Sequence, residues 1–132
     1  MKNNYFKKSL ANINLKPNLN SEIVSQILYG EKFKILSEKK NWVKIKTTFD
    51  NYVGYIKKQK FGNEFKPHLK ICKLKSRIFI KKKKKIYPSK NFLYFASGIS
   101  ILSRKKNFVE FEKNKWIKKK DIEKINHFEK SY

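Results

Sequence analysis

Apolar side chains recur along this chain at every second position, and most of them are β-branched or aromatic, which predicts short strands. Ala11, Ile13 and Leu15 share one parity before Pro17 interrupts the run. Phe33 and Ile35 flank Lys34 in the same manner. Val43, Ile45 and Thr47 alternate with Lys44 and Lys46, as in a strand with one wet face. Phe49-Asp50-Asn51-Tyr52 then supplies turn residues, and Val53-Gly54-Tyr55-Ile56 reads as the returning strand of a hairpin. The segment from Ser21 to Leu28 has the composition of a helical turn, but it is short and flanked by strands and is expected to be extended. Leu69 and Ile71 alternate with lysines in a stretch that reads as a linker or bridging strand, and the polar sequence after Ile122 reads as weakly helical.

The strand pattern occurs twice. FKILSEKKNWVKIK, from Phe33 to Lys46, aligns without a gap on ISILSRKKNFVEFE, from Ile99 to Glu112, with seven of fourteen positions identical. Further on, Gly54-Tyr55-Ile56-Lys57 pairs with Lys115-Trp116-Ile117-Lys118 across a shorter loop. Ahead of it, Tyr29-Gly30-Glu31-Lys32 faces Phe95-Ala96-Ser97-Gly98, which places a glycine turn before the same strand in each copy. Repetition of spaced apolar positions points to a duplicated unit. A unit of this size made of short strands buries one parity of each strand by closing into a small barrel, which also removes its edges. The expectation is an all-β chain of two small barrels in tandem with a short polar C-terminal linker. The first domain spans 1–60, a linker or bridging strand 61–75, the second and more divergent domain 76–122, and a tail 123–132 leads toward a domain absent from this chain.

Composition narrows the functional classes. In 132 residues there are 34 Lys and Arg against 10 Asp and Glu, a formal charge of +24, and the length excludes a large enzyme with separate cofactor and substrate domains. Such a charge suits a polyanion partner such as RNA, but Arg77 and Arg104 are the only arginines, and Lys, Asn and Ile rise together under A+T-rich coding. From Phe65 to Val109 there is no acidic residue and there are fourteen basic ones, including Lys81 to Lys85. Hydrophobic residues at 39% and aromatics at 15% set the chain apart from a solvated polybasic tail. Trp42 and Trp116 read as packing residues or ligand platforms, and Phe92, Tyr94 and Phe95 as strand core or stacking surface. Cys72 is the single cysteine, so there is neither an intrachain disulfide nor a multi-cysteine metal site, and nothing calls for a cofactor. The charged N-terminus is followed by no apolar signal region, and no run approaches the roughly 20 apolar residues of a membrane span, so a cytoplasmic location is expected.

The stretch from Asn14 to Lys58 carries NLKPNLNSEIVSQILYGEKFKIL and then NWVKIKTTFDNYVGYIKK. Its Ser-Glu-x-Val-Ser-Gln run, Tyr-Gly-Glu turn, Trp-Val-Lys-Ile strand and Asp-x-Tyr-x-Gly-Tyr-Ile hairpin resemble, in this order, the bacterial SH3-like domain at the N-terminus of NlpC/P60 cysteine peptidases of the dipeptidyl-peptidase VI type. The second copy departs from that pattern: Lys115-Trp116 replaces Gly54-Tyr55 and the Tyr-Gly-Glu turn is lost.

The resemblance implies paired SH3-like domains ahead of a papain-like peptidase domain that cuts murein peptides between γ-D-glutamate and a diamino acid. The nucleophilic Asp-Cys-Ser motif of that domain is missing, Cys72 sits in Lys-Ile-Cys-Lys-Leu, and His68 and His127 stand in no catalytic context. The chain is therefore expected to be non-catalytic. In relatives of this type the first SH3-like domain helps restrict the peptidase cleft to short peptides with a free N-terminal L-alanine. By position, Glu31, Asp50 and Tyr52 are the residues this likeness nominates for substrate gating, since carboxylates and an aromatic ring can cap an ammonium group. They read equally as turn and hairpin residues. The partners implied are a C-terminal NlpC/P60 peptidase domain and murein peptides, with RNA or another polyanion as the alternative.

Overall fold

The computed structural model describes residues 3–62 and 67–125. Asn63, the rest of 63–66, His127 and the other residues of 126–132 lie outside the described residues. Among the described residues every regular element is a strand apart from one 3-10 turn, an all-β, SH3-like arrangement, as expected. No helix among the described residues is long and apolar enough to cross a membrane. The strands fall into two compact units, one within Met1–Phe65 and the other within Lys66–Ser131.

The first unit is one antiparallel sheet of β1 (Asn3–Tyr5), β2 (Leu10–Asn14), β3 (Ile23–Leu28), β4 (Lys32–Lys39), β5 (Trp42–Thr47) and β6 (Val53–Lys57), in the order β1-β4-β5-β6-β2-β3. Alternation dictates its core: Ile13, Ile27, Phe33, Val43, Ile45 and Ile56 are fully buried together with Phe6, and their lysine neighbours face outward. At Gly54 the β6 backbone crosses close over β2. A Cβ there would stand 2.5 Å from Ile13 Cγ2 and 2.7 Å from Asn14 O, which is why this strand position is a glycine. The alternation expected from Ala11 to Leu15 fails at its end. The β2–β3 register shifts between Ile13 and Asn14, so Asn14 is buried and Leu15 is exposed.

The second unit contains β7 (Leu69–Ile71), β8 (Lys75–Lys82), β9 (Lys85–Tyr94), β10 (Gly98–Ile99), β11 (Ser103–Lys105), β12 (Phe108–Glu112), β13 (Lys115–Lys118) and β14 (Ile122–Lys124). They form two sheets, β10-β7-β14 and β11-β12-β13-β8-β9. If β10 and β11 together are set against β4, the remaining order is that of the first unit, β7 standing for β1, β8 for β2 and β9 for β3. The strand β14, paired on the other side of β7, has no counterpart strand among the described residues of the first unit.

Three expectations are corrected here. Ile122–Lys124 is not the start of a helical tail but a strand paired with β7. Phe95 is exposed, and the core position of that strand is Leu93, because β9 ends at Tyr94 and the chain turns there. Gly98 is not the turn residue of the second unit: it lies in β10, and Ala96 takes the left-handed conformation at φ 74°, where the first unit has Gly30 at φ 80°.

Candidate functional site

The turn joining β3 to β4 is fixed by its backbone. Gly30 supplies the positive φ, its N–H donates to Phe6 O at 2.7 Å, and Phe6 N–H donates to Glu31 O at 2.9 Å. Glu31 N–H closes the turn on Leu28 O at 3.0 Å, and Leu28 N–H donates to Glu31 Oε1 at 3.2 Å. The side chain is therefore tied to its own turn and held half-buried. Burial pushes the Glu31 carboxyl up to about 7; the Leu28 N–H opposes that shift, and the nearby charge of Asp50 adds to it.

Asp50 arrives from the β5–β6 hairpin. Buried Thr47 organises that loop: its N–H donates to Tyr52 O at 2.9 Å, its Oγ1 accepts from Tyr52 N at 3.0 Å, and its carbonyl accepts from Asn51 N at 3.0 Å. Asn51 takes a left-handed φ of 59°, a conformation asparagine tolerates better than most residues. Thr48 N–H donates to Lys32 O at 3.1 Å, which ties the hairpin to the start of β4 directly after Glu31.

Glu31 and Asp50 consequently line one groove of about 520 Å³, whose other wall is the β2–β3 ribbon with Asn12, Ile23, Val24, Ser25, Gln26 and Leu28. Gln26 Nε2 donates to Asn12 Oδ1 at 3.1 Å and sets the two amides side by side. The structure thus brings together two of the three residues nominated from sequence. Tyr52 is exposed on the same hairpin and is not among the residues lining the groove. Sequence reasoning missed Asn12, Ser25 and Gln26. The signal for Asn12 and Gln26 was the polar parity of β2 and β3, which carries no motif of its own, and Ser25 lies on the opposite parity.

In the second unit the corresponding turn keeps its geometry and loses its charge. Ser97 N–H donates to Tyr94 O at 2.9 Å, and Ser97 Oγ accepts from Tyr94 N at 3.2 Å, the bonds that Glu31 makes with Leu28. Cys72 and His68, the other sequence candidates for chemistry, flank β7 and are held by backbone hydrogen bonds. Cys72 N–H donates to Asp121 O at 2.9 Å, with its thiol 4.0 Å from Lys120 O, and His68 N–H donates to Ile99 O at 3.0 Å.

Residues 16–61 match the family described as the bacterial dipeptidyl-peptidase Sh3 domain. The stretch runs from the end of the β2 bulge past β6 and contains Glu31, Asp50 and Tyr52. No curated protein matches the chain in sequence. Among solved structures, an NlpC/P60 family protein from Bacillus cereus ATCC 10987 superposes with a TM-score of 0.71 at 14% identity, over 93% of this chain and 57% of that one. The likeness at that identity is one of fold, and this chain spans a little over half the length of that protein.

Proposed function

We propose that the chain is a tandem SH3-like, non-catalytic module that gates substrate for a murein-peptide endopeptidase of the γ-D-glutamyl-diamino acid type, in the cytoplasm, with an NlpC/P60 peptidase domain as its partner. One observation carries the reading: Glu31 and Asp50 share a groove within the stretch that matches the dipeptidyl-peptidase SH3 family. On a chain of net charge +24 a pair of carboxylates is the feature least like its surroundings, and it suits a cation. An N-terminal ammonium entering the groove would draw the Glu31 carboxyl, held near neutrality, to its charged form and gain an ion pair in a partly desolvated place. Asn12, Ser25 and Gln26 offer hydrogen bonds to the peptide backbone behind that ammonium. Tyr52, beside Asp50 on the hairpin, contributes a ring for cation–π contact on the side open to solvent.

The test is calorimetric titration of the full chain with L-Ala-γ-D-Glu-diaminopimelate and with the same peptide acetylated at its amine. The free amine is expected to bind at least about tenfold more tightly, and Glu31→Gln to erase that preference. Equal binding of the two peptides to the unsubstituted chain would sink the gating reading.

A further inference from the structure

The outer face of the five-stranded sheet of the second unit is built differently from a surface that is merely coated with lysine. On β8, Ser76 and Ile78 point into the core, so Lys75, Arg77, Phe79 and Lys81 lie on the opposite face. Cross-strand pairing puts Trp116 beside Phe79, and pairs Phe108 with Lys118 and with Lys105. The basic groups of this face stand over its rings. Lys81 Nζ and Lys105 Nζ lie 5.9 and 5.6 Å from the centroid of Trp116, and Lys118 Nζ lies 6.0 Å from that of Phe79. On the β9 side, Lys75 Nζ and the Arg77 guanidinium carbon lie 4.4 and 4.6 Å from the ring of Phe92. Phe79 and Phe108 meet edge to face at 5.0 Å.

Coding bias accounts for the number of lysines but not for this placement. Two ammonium groups over a single indole repel each other, and their contact holds Lys105 below the usual lysine range. Glu110 partly offsets that repulsion; its Oε1 accepts from Ser103 Oγ at 2.8 Å and its Oε2 from Asn114 N at 2.7 Å. Trp116 is itself buried, so its ring packs beneath these groups. The cluster therefore presents positive charge in excess. A groove of about 490 Å³, lined by Asn107, Phe108 and Lys118 to Lys120, continues it.

We propose that this face is a binding track for single-stranded nucleic acid, with phosphates bridged by Lys81 and Lys105 and bases stacked on Phe108. Lysine is a point charge with no bidentate fork, so the track follows the backbone and reads little sequence. A ring set within the lysine row favours a strand that carries bases over a polymer of phosphate alone.

The test uses the full chain and a fluorescent oligothymidylate of about twenty nucleotides, followed by anisotropy over about 50 to 300 mM salt. A linear fall of log affinity with log salt is expected, and Lys81→Gln with Lys105→Gln should lower affinity about tenfold and flatten the slope by about 1.4. The charge-preserving pair Lys81→Arg with Lys105→Arg should bind within about twofold of the unsubstituted chain, which separates loss of charge from loss of fold. Phe108→Leu should weaken binding about fivefold or more at unchanged slope. Three results would each overturn the proposal: no salt-dependent binding, an equal loss from neutralising Lys16 and Lys34 of the first unit, or displacement of the oligonucleotide by inorganic polyphosphate as readily as by unlabelled oligonucleotide.

Discussion

The backbone N–H of Leu28 donates to Glu31 Oε1 at 3.2 Å, so the carboxyl that lines the groove also fastens the turn from which it projects. Any ligand that takes up the other oxygen of Glu31 meets a group whose direction is already set. The carboxyl sits near neutrality because it is half-buried beside Asp50.

That position makes stability depend on pH. The folded protein keeps a proton on Glu31 that the unfolded chain releases, so stability falls as pH rises from the ordinary 4.5 to about 7, and the whole penalty is present above that window. Glu31→Gln preserves the acceptor and removes the charge. It should raise the melting temperature by a few degrees at alkaline pH, on the order of 1 kcal/mol after allowance for partial exposure, and have little effect at acid pH. Thermal unfolding followed by circular dichroism at a series of pH values checks this.

Gly54→Ala should be among the most damaging single-methyl changes in the first unit. The new carbon meets Asn14 O, a backbone atom that cannot rotate away, as well as Ile13 Cγ2 in the core. A loss of about 3 kcal/mol is expected, at the upper end of overpacking costs. Urea unfolding measures it. A loss below about 0.5 kcal/mol would mean that β6 and β2 are not as close as described.

The two equivalent turns make opposite demands on substitution. Gly30→Ala places a side chain at φ 80° and should cost about 1 kcal/mol, whereas Ala96→Gly relieves a side chain already at φ 74° and should cost little or stabilise. Comparing the melting temperatures of the two variants tests whether both turns hold the left-handed conformation.

Ser76 Oγ donates to Asp121 Oδ2 at 2.7 Å in a buried position, joining β8 to the 3-10 turn before β14. Ser76→Ala leaves that carboxylate short of a donor where water is scarce, and should cost about 2 kcal/mol. Loss of amide protection at Ile122 to Lys124 in hydrogen exchange would locate the damage.

Much of the strand plan was legible because it rests on local alternation. The Trp42–Lys57 hairpin, with its Asp50-Asn51 turn, and the repeat of Phe33–Lys46 at Ile99–Glu112 announce themselves in a single reading. What stayed hidden depends on partners distant in sequence. Ile122-Glu123-Lys124 is too polar to read as a strand and becomes one through pairing with Leu69 to Ile71. Leu15 and Phe95 were misplaced because a register shift and an early turn end the alternation that would have buried them. Glu31 and Asp50 could be nominated from a resemblance, but their shared groove required Asn12 and Gln26 from a ribbon whose polar face has no motif. The ring-and-lysine face was invisible for a related reason: Lys81, Lys105 and Trp116 belong to three different strands.

The pairing of β14 with β7 also orders events during synthesis. All strands of the first unit are complete by Lys57, with only the Tyr5–Gly62 bridge to follow, so that unit can close while the ribosome is still making the second. The second cannot do the same: its first strand, at Leu69–Ile71, waits for a partner some fifty residues later, at Ile122–Lys124. Until those residues emerge, β7 has only the two-residue β10 beside it and an open flank on its other side. Until Lys124 has been made, the second unit is therefore the one exposed to mispairing in the nascent chain.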